Sequence, residues 1–303
     1  MGKNLVTNSK LLFKIIMKPG YELVDCPTCG KNNIKKLIFE RDDGINFFRC
    51  LSCNIEYSSP RLKEKELLRL YQNEDWKDLK DYENWTYENW KSSKATHYHL
   101  VEKNVELVKK YIGTGSRVLD LGCDIGLTIR WLIEEGYKSE GIEVSKIGFN
   151  IAKNKTKVLV HNCQIQDVSF NYKFDGILVL DVLEHLYDPV NVLNQANRTL
   201  QTNGLIFIHV PNHQGISVRF KKLLHKLKLK KSFKHFGFPA HIYNFDKKSL
   251  TKILGKAGFE VIHFESWPRS MTEGKLNLFN RVPVSIISRF ALSDYIICVA
   301  RKK

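Results

Sequence analysis

From Arg117 onward, short apolar runs alternate with amphipathic stretches. Residues 118–121, 139–144, 158–161, 174–180 and 205–210 read as strands, and 125–135 and 145–153 as helices between them. Asp188-Pro189 opens a further helix, with Asp at the cap and Pro in the first turn. Beyond Pro211, residues 248–257 read as helix and 259–264 and 295–300 as strands. Alternation of this kind implies a parallel sheet with helices on both faces, an α/β fold. Upstream, 96–112 has helical periodicity ended by Gly113 and Gly115. Residues 62–70 form a short charged helix after the break at Ser58-Ser59-Pro60. Two strand-like runs, 36–40 and 45–49, flank Arg41-Asp42-Asp43-Gly44, whose Asp-Gly is a hairpin signal.

A chain of 303 residues is long enough for about two domains. Its 43% hydrophobic and 26% charged residues are a globular composition. No apolar run approaches the roughly 20 residues that span a bilayer. The apolar clusters at 11–13 and 15–17 are split by Lys14 and lack a small-residue cleavage site, so a cytoplasmic chain without a signal peptide is expected.

Seven cysteines then suit reduced thiols or metal ligands better than disulfides. Cys26-Pro27-Thr28-Cys29 and Cys50-Leu51-Ser52-Cys53 are two C-x2-C pairs separated by 20 residues. Each tight turn presents two thiolates, and two such knuckles supply the tetrahedral sulfur set that Zn²⁺ prefers. Four sulfurs leave no open position, so the metal would be structural. The expected organisation is an N-terminal tail (1–20), a zinc ribbon (21–60), a linker or helical lid (61–95) and an α/β domain (96–303). The linker's Trp76, Tyr82, Trp85, Tyr87 and Trp90, with Tyr98 beyond it, read as a packing surface or a cover over a ligand.

Ligands of open α/β sheets sit at the carboxyl ends of strands. There Asp120-Leu121-Gly122-Cys123-Asp124-Ile125-Gly126 turns a strand into a helix, and Glu143 ends the next strand with a carboxylate suited to ribose hydroxyls. The nicotinamide fingerprint G-x-G-x-x-G is not met, since Asp124 and Leu127 stand where it needs glycines.

This first motif resembles that of class I S-adenosylmethionine-dependent methyltransferases. Later blocks match in order: Phe174-Asp175, Val182-Leu183-Glu184-His185-Leu186 with Asp188-Pro189, Gly204-Leu205 with Pro211-Asn212, His241-Ile242-Tyr243-Asn244-Phe245 and Ala257-Gly258-Phe259-Glu260. The front, with Ser59-Pro60-Arg61 and Leu70-Tyr71, is similar to bacterial methyltransferases of surface-glycan or small-metabolite type. The resemblance implies a Rossmann-like seven-stranded sheet. It also implies an S-adenosylmethionine site in which Gly122, Cys123 and Gly126 line the methionine part, Asp120 faces its amino group through water, Glu143 binds ribose, Gln164 and Ile165 flank adenine, and Asp181 is a further cofactor-binding residue. Asp124 departs from the family's usual glycine.

The sulfonium methyl is already activated, so the protein's main task is to align a nucleophile and exclude water. Asp181, Glu184, His185, His209, His213 and His241 are the candidates near strand ends, with His185, His241 and Asp181 as the catalytic set. Asp181, Glu184 and His185 share a face if their segment is helical. Ubiquinone-pathway O-methyltransferases and small-RNA 2′-O-methyltransferases carry a similar block, which implies either Mg²⁺ at these three residues, a base at His185, or a loop brace.

Charge enters last. Lys+Arg 48 against Asp+Glu 32 gives +16, and residues 219–234 hold eight basic side chains and no acidic one. Phe220, Leu223, Leu224 and Leu227 give the first half of that stretch helical amphipathicity. An anionic membrane surface, an acidic metabolite such as a nucleotide-sugar, RNA, or a solvated face each fit it. The expected activity is O-methylation of a glycan, nucleotide-sugar or related metabolite. RNA methylation is the alternative, as is a ribbon-mediated binding role on a vestigial fold.

Overall fold

The computed structural model describes residues 19–31, 35–40, 45–72, 85–95, 97–227, 240–267 and 293–303. Strand β1 (Tyr21–Glu22) leads into the first Cys pair. β2 (Lys35–Glu40) and β3 (Asn46–Cys50) pair antiparallel as the spacing predicts, while the turn residues 41–44 lie outside the described set. β4 (Glu56–Ser59) extends this hairpin, and β5 (Arg61–Leu62) pairs back onto β1. Helix α1 (Glu64–Gln72) follows, later than the expected 62–70 by two residues at each end.

The short α2 (Tyr87–Ser93) and α3 (Tyr98–Tyr111) precede the main sheet. Tyr87, Trp90 and Tyr98 are buried around Trp131, so these linker aromatics pack as a cluster, and Trp76 and Tyr82 lie outside the described residues.

The α/β part then runs β6 (Arg117–Leu121), α4 (Leu127–Glu134), β7 (Lys138–Ile142), α5 (Lys146–Ile151, continued by a π turn), β8 (Val160–His161), β9 (Phe174–Leu180), α6 (Pro189–Thr199) and β10 (Leu200–Pro211). It ends with α7 (Ile216–Lys226), β11 (Tyr243–Asn244), α8 (Lys247–Lys256), β12 (Phe259–Trp267) and β13 (Tyr295–Lys302). Seven strands lie in the order β12-β13-β10-β9-β6-β7-β8. The five from β8 to β10 are parallel, and β13 is antiparallel to both neighbours. β6 and β9 read as continuous apolar runs because helices cover both faces. No described helix is long and apolar enough to cross a membrane.

The cysteine hairpin is tied to this sheet by backbone bonds. β4 pairs antiparallel with β11, Tyr57 opposite Tyr243 and Glu56 opposite Asn244, so a strand of the α/β part completes a four-stranded sheet. α8 reaches both knuckles: Lys252 Nζ donates to the Ser52 carbonyl at 2.6 Å and Lys256 Nζ to that of Thr28 at 2.5 Å. Ile55, Tyr57 and Leu67 share one continuous buried cluster with Leu119, Val179 and Phe245.

Candidate active site

The four front cysteines converge. Their sulfurs lie within 4.8 Å of one another, with Cys26 to Cys53 at 3.4 Å and Cys29 to Cys50 at 3.5 Å. Both knuckles have one design: the fourth residue after the first Cys returns its amide to that Cys carbonyl, Gly30 to Cys26 at 2.7 Å and Asn54 to Cys50 at 2.8 Å. Those two residues take positive φ, +70 and +67°, which glycine and asparagine adopt most readily. The hydrogen bond between Cys26 and Cys53 lowers the pKa of Cys53 and raises that of Cys26, as for two adjacent thiols that share a proton.

At the end of β6 the chain turns sharply. A Cβ on Gly122 would stand 2.5 Å from Val182 Cγ2, and φ there is +75°, so only glycine fits. Asp120 is 3% exposed and its Oδ1 has no hydrogen-bond partner in the protein. Burial first, then Glu143 and Asp124, push its pKa up to about 8. An orphaned, buried acidic oxygen beside a glycine cradle matches the ammonium of a bound amino acid. Glu143 is fixed by two backbone amides, Asp124 at 2.8 Å and Ser145 at 2.7 Å. Asp124 adopts φ +49°, and its side chain does not displace Glu143. Cys123 gives no side chain to this cradle: its sulfur packs with Ile129, Ala152, Val158 and Val160 in an apolar cluster.

Next to Glu143 opens a cavity of about 240 Å³ lined by Gln72, Val144, Lys146, Asn162, Cys163, Gln164 and Asp167. Gln164 therefore faces it, whereas Ile165 is 6% exposed within the core. Gln72 from α1 and Asn162, which donates to the Glu143 carbonyl at 2.7 Å, carry no sequence motif that would have singled them out.

The third group differs from expectation. Residues 181–185 form a bend and turn rather than a helix, and Asp181 has φ +53°. The three and four residue spacings thus do not bring Asp181 onto the face of Glu184 and His185. Asp181 instead accepts from His209 Nδ1 at 2.9 Å. Burial works to raise its pKa, and His209, by charge and hydrogen bond, more than offsets this and holds it below the ordinary value. The group that converges is Glu184, His185 and His241, one donor atom from each lying within 4.8 Å of the others. Both Glu184 carboxylate oxygens are buried without a hydrogen-bond partner, and burial with Asp181 pushes its pKa well up. Burial, then His241, brings the His185 pKa down to about 3, and burial lowers that of His241. His209 and His213 are buried, at 0% and 3% exposure, and are not part of that group.

A family model described as a methyltransferase domain matches residues 93–264. Over 227 residues the chain is 28% identical to an uncharacterised protein of Methanocaldococcus jannaschii, covering 69% of this chain and 84% of that one. It is 27% identical over 150 residues to a ubiquinone biosynthesis O-methyltransferase of Coxiella burnetii, covering 46% of this chain and 64% of the relative. Among solved structures, a 1,6-didemethyltoxoflavin-N1-methyltransferase of Burkholderia thailandensis shares the fold, with TM-score 0.51 at 15% identity, covering 84% of this chain and 97% of that one. The family match takes in more than half of the sequence and most of the central sheet, so the chain belongs to the methyltransferase domain family and is an S-adenosylmethionine-dependent methyltransferase.

Proposed function

We propose that the protein O-methylates a glycan, nucleotide-sugar or related small metabolite, with Glu184, His185 and His241 at the acceptor side of the cofactor. The observation that carries this reading is the adjacency of two kinds of site. Asp120, Gly122, Gly126 and Glu143 suit the amino acid and ribose of S-adenosylmethionine, Gln164 in the neighbouring cavity lining suits its adenine with Ile165 packed in the core behind, and the histidine cluster interacts with Asp181. When bound, that cofactor supplies a methyl group on a sulfonium that needs only an aligned nucleophile. Residues of the chain then have three tasks: to hold the acceptor hydroxyl in line, to exclude water and to take up its proton.

A base with a pKa near 3 is a weak proton acceptor at neutral pH, so His185 fits ligation better than direct proton removal. A carboxylate and two neutral imidazoles form a donor set for a transition-type divalent ion, whereas Mg²⁺ favours oxygen ligands. A cation at the cluster would lower the pKa of an acceptor hydroxyl bound there and would draw the buried Glu184 into its ionised form. We therefore assign the cluster to Mn²⁺ or Zn²⁺ in place of Mg²⁺ at Asp181, Glu184 and His185. The front cysteines we assign to structural Zn²⁺. The seven cysteines form no disulfide, which suits the expected cytoplasmic setting.

For the acceptor's location, α7 favours a membrane-side reading over RNA. Ile216, Phe220, Leu223 and Leu227 are each more than half exposed and recur at four, three and four residues along one helix face. A solvated lysine face has no use for an exposed apolar stripe, and an anionic bilayer uses both parts. Lys228, Lys230, Lys231 and Lys234 lie outside the described residues.

The test is methyl transfer from labelled S-adenosylmethionine onto a panel of nucleotide-sugars, polyprenyl-linked glycans and RNA. Transfer to a sugar hydroxyl, reduced at least tenfold in His241→Ala, is the expected result. Transfer to RNA alone would replace this reading.

A further inference from the structure

Helix α1 precedes the segment that the family model matches, yet its last turn reaches the centre of the site. Tyr71 Oη stands 2.8 Å from His185 Nδ1, and the two rings meet edge to face with centroids 5.8 Å apart. The same Nδ1 lies 3.1 Å from the Ala240 carbonyl oxygen. A carbonyl only accepts, so Nδ1 must carry the proton. Nε2 then bears the lone pair, on the ring edge that faces Glu184 Oε1 at 3.9 Å. Tyr71 Oη accepts from the shared N–H, and its own proton is directed at the Ala240 carbonyl over a long 3.4 Å.

The helix that delivers this hydroxyl is braced against both segments of the cluster. Arg61, just before α1, is buried; it donates to the Tyr187 carbonyl at 3.0 Å, Tyr243 Oη at 2.8 Å and Glu22 at 3.1 Å, and its guanidinium lies 3.9 Å from the centre of the Tyr187 ring. Tyr187 follows His185 and Tyr243 follows His241. Leu67, at 2% exposure, anchors the middle of α1 in the shared core.

We propose that Tyr71 is a positioning residue for His185: its hydroxyl, with the Ala240 carbonyl, fixes the Nδ1–H tautomer and ring angle so that Nε2 is offered to the Glu184–His241 cluster. This rests on the reading of that cluster as the reactive centre. Groups that hold the outer nitrogen of a ligating histidine are worth about tenfold to a hundredfold in metal affinity.

The experiment uses the full chain with ¹⁵N-labelled histidine. Two-bond proton–nitrogen spectra report each tautomer, and the His185 signals are identified by their loss in His185→Ala. Expected is Nδ1–H at His185 in the wild type, with Tyr71→Phe mixing the tautomers and weakening Mn²⁺ binding about tenfold by calorimetry, while S-adenosylhomocysteine affinity is unchanged. A wild-type Nε2–H tautomer overturns the proposal. So does a Tyr71→Phe protein whose His185 spectrum matches wild type, since the retained ring would then be mere packing. Should wild type bind no Mn²⁺, the metal assignment fails on its own, and the tautomer spectra still decide the role of Tyr71.

Discussion

Asp120 shows how one buried carboxyl couples ligand, proton and stability. With its pKa pushed up to about 8, it is mostly protonated at neutral pH in the free protein. The ammonium of the cofactor would draw it into the ionised form, so binding there releases a proton. Affinity for S-adenosylhomocysteine is accordingly expected to rise with pH, by at most about tenfold per unit, and to level off above about pH 8. Titration calorimetry in buffers of different ionisation enthalpy measures both slope and proton release. Asp120→Asn should flatten the slope and weaken binding about tenfold or more, the worth of a charged hydrogen bond. A slope that survives in Asp120→Asn would place the titration elsewhere. Stability has the opposite sign. The folded pKa lies above the ordinary 3.8, so this group favours the fold at low pH. That contribution is lost as pH rises through the folded value, and the unliganded melting temperature should fall across that window unless Asp120 is replaced.

At the scale of elements, the Cys hairpin and the loops that carry Glu184, His185 and His241 form one construction. His241 is followed by β11, whose hydrogen-bonding partner is β4, and β4 leaves the second knuckle directly. The amides of Ile242 and Tyr243 in turn bond the Glu184 carbonyl at 3.0 and 3.2 Å. If the four cysteines hold zinc as proposed, its loss should thus disturb the Glu184–His185–His241 side while sparing Asp120 and Glu143, at the ends of β6 and β7. Cys50→Ser is expected to lose zinc by atomic absorption and to bind Mn²⁺ at least tenfold more weakly, with S-adenosylhomocysteine binding largely kept. Equal loss of both would mean that the hairpin supports the whole fold rather than one half of the site. This coupling was illegible in the sequence for a physical reason. A two-residue strand such as β11 has no periodicity of its own, because a distant partner defines it. By contrast β9 matched its apolar run from Phe174 to Leu180, since seven residues covered on both faces leave a clear signature. The acidic-x-x-Glu-His block would share one face only in a helix, and the bend at Asp181, with its positive φ, gives a different geometry. His241 took the vacant place through a tertiary contact that no local spacing encodes. Leu70-Tyr71 belongs to the resemblance at the front of the chain, but neither the contact of Tyr71 with His185 nor the place of Gln72 in the cavity lining is legible there, because a helix end carries no sign of what it will abut.

For the whole molecule, the excess of positive charge has to be weighed with the apolar surface it accompanies. Ten large hydrophobic side chains are exposed among the described residues, and four of them line α7. In the sequence, residues 219–234 carry eight cations, between β10 and His241. Each cation near an anionic leaflet contributes about 1 kcal/mol, falling with salt over a Debye length of roughly 10 Å at 0.1 M. Burial of apolar side chains adds a part that salt does not screen. The two parts predict different dependences. Sedimentation with phosphatidylglycerol vesicles should recover most of the protein at low salt and a reduced share at high salt, with little recovered on phosphatidylcholine. Neutralising Lys226, Lys228 and Lys230 together should remove the salt-sensitive part. Phe220→Ser with Leu223→Ser should instead remove the residue of binding that survives high salt. Because α7 sits between the strand that ends at Pro211 and the segment that carries His241, a bilayer bound there would lie beside the acceptor side of the pocket, where a lipid-linked acceptor would enter. Vesicle binding unaffected by both sets of substitutions would assign the contact to another surface, and the charge at 219–234 would then serve to attract a soluble anionic acceptor.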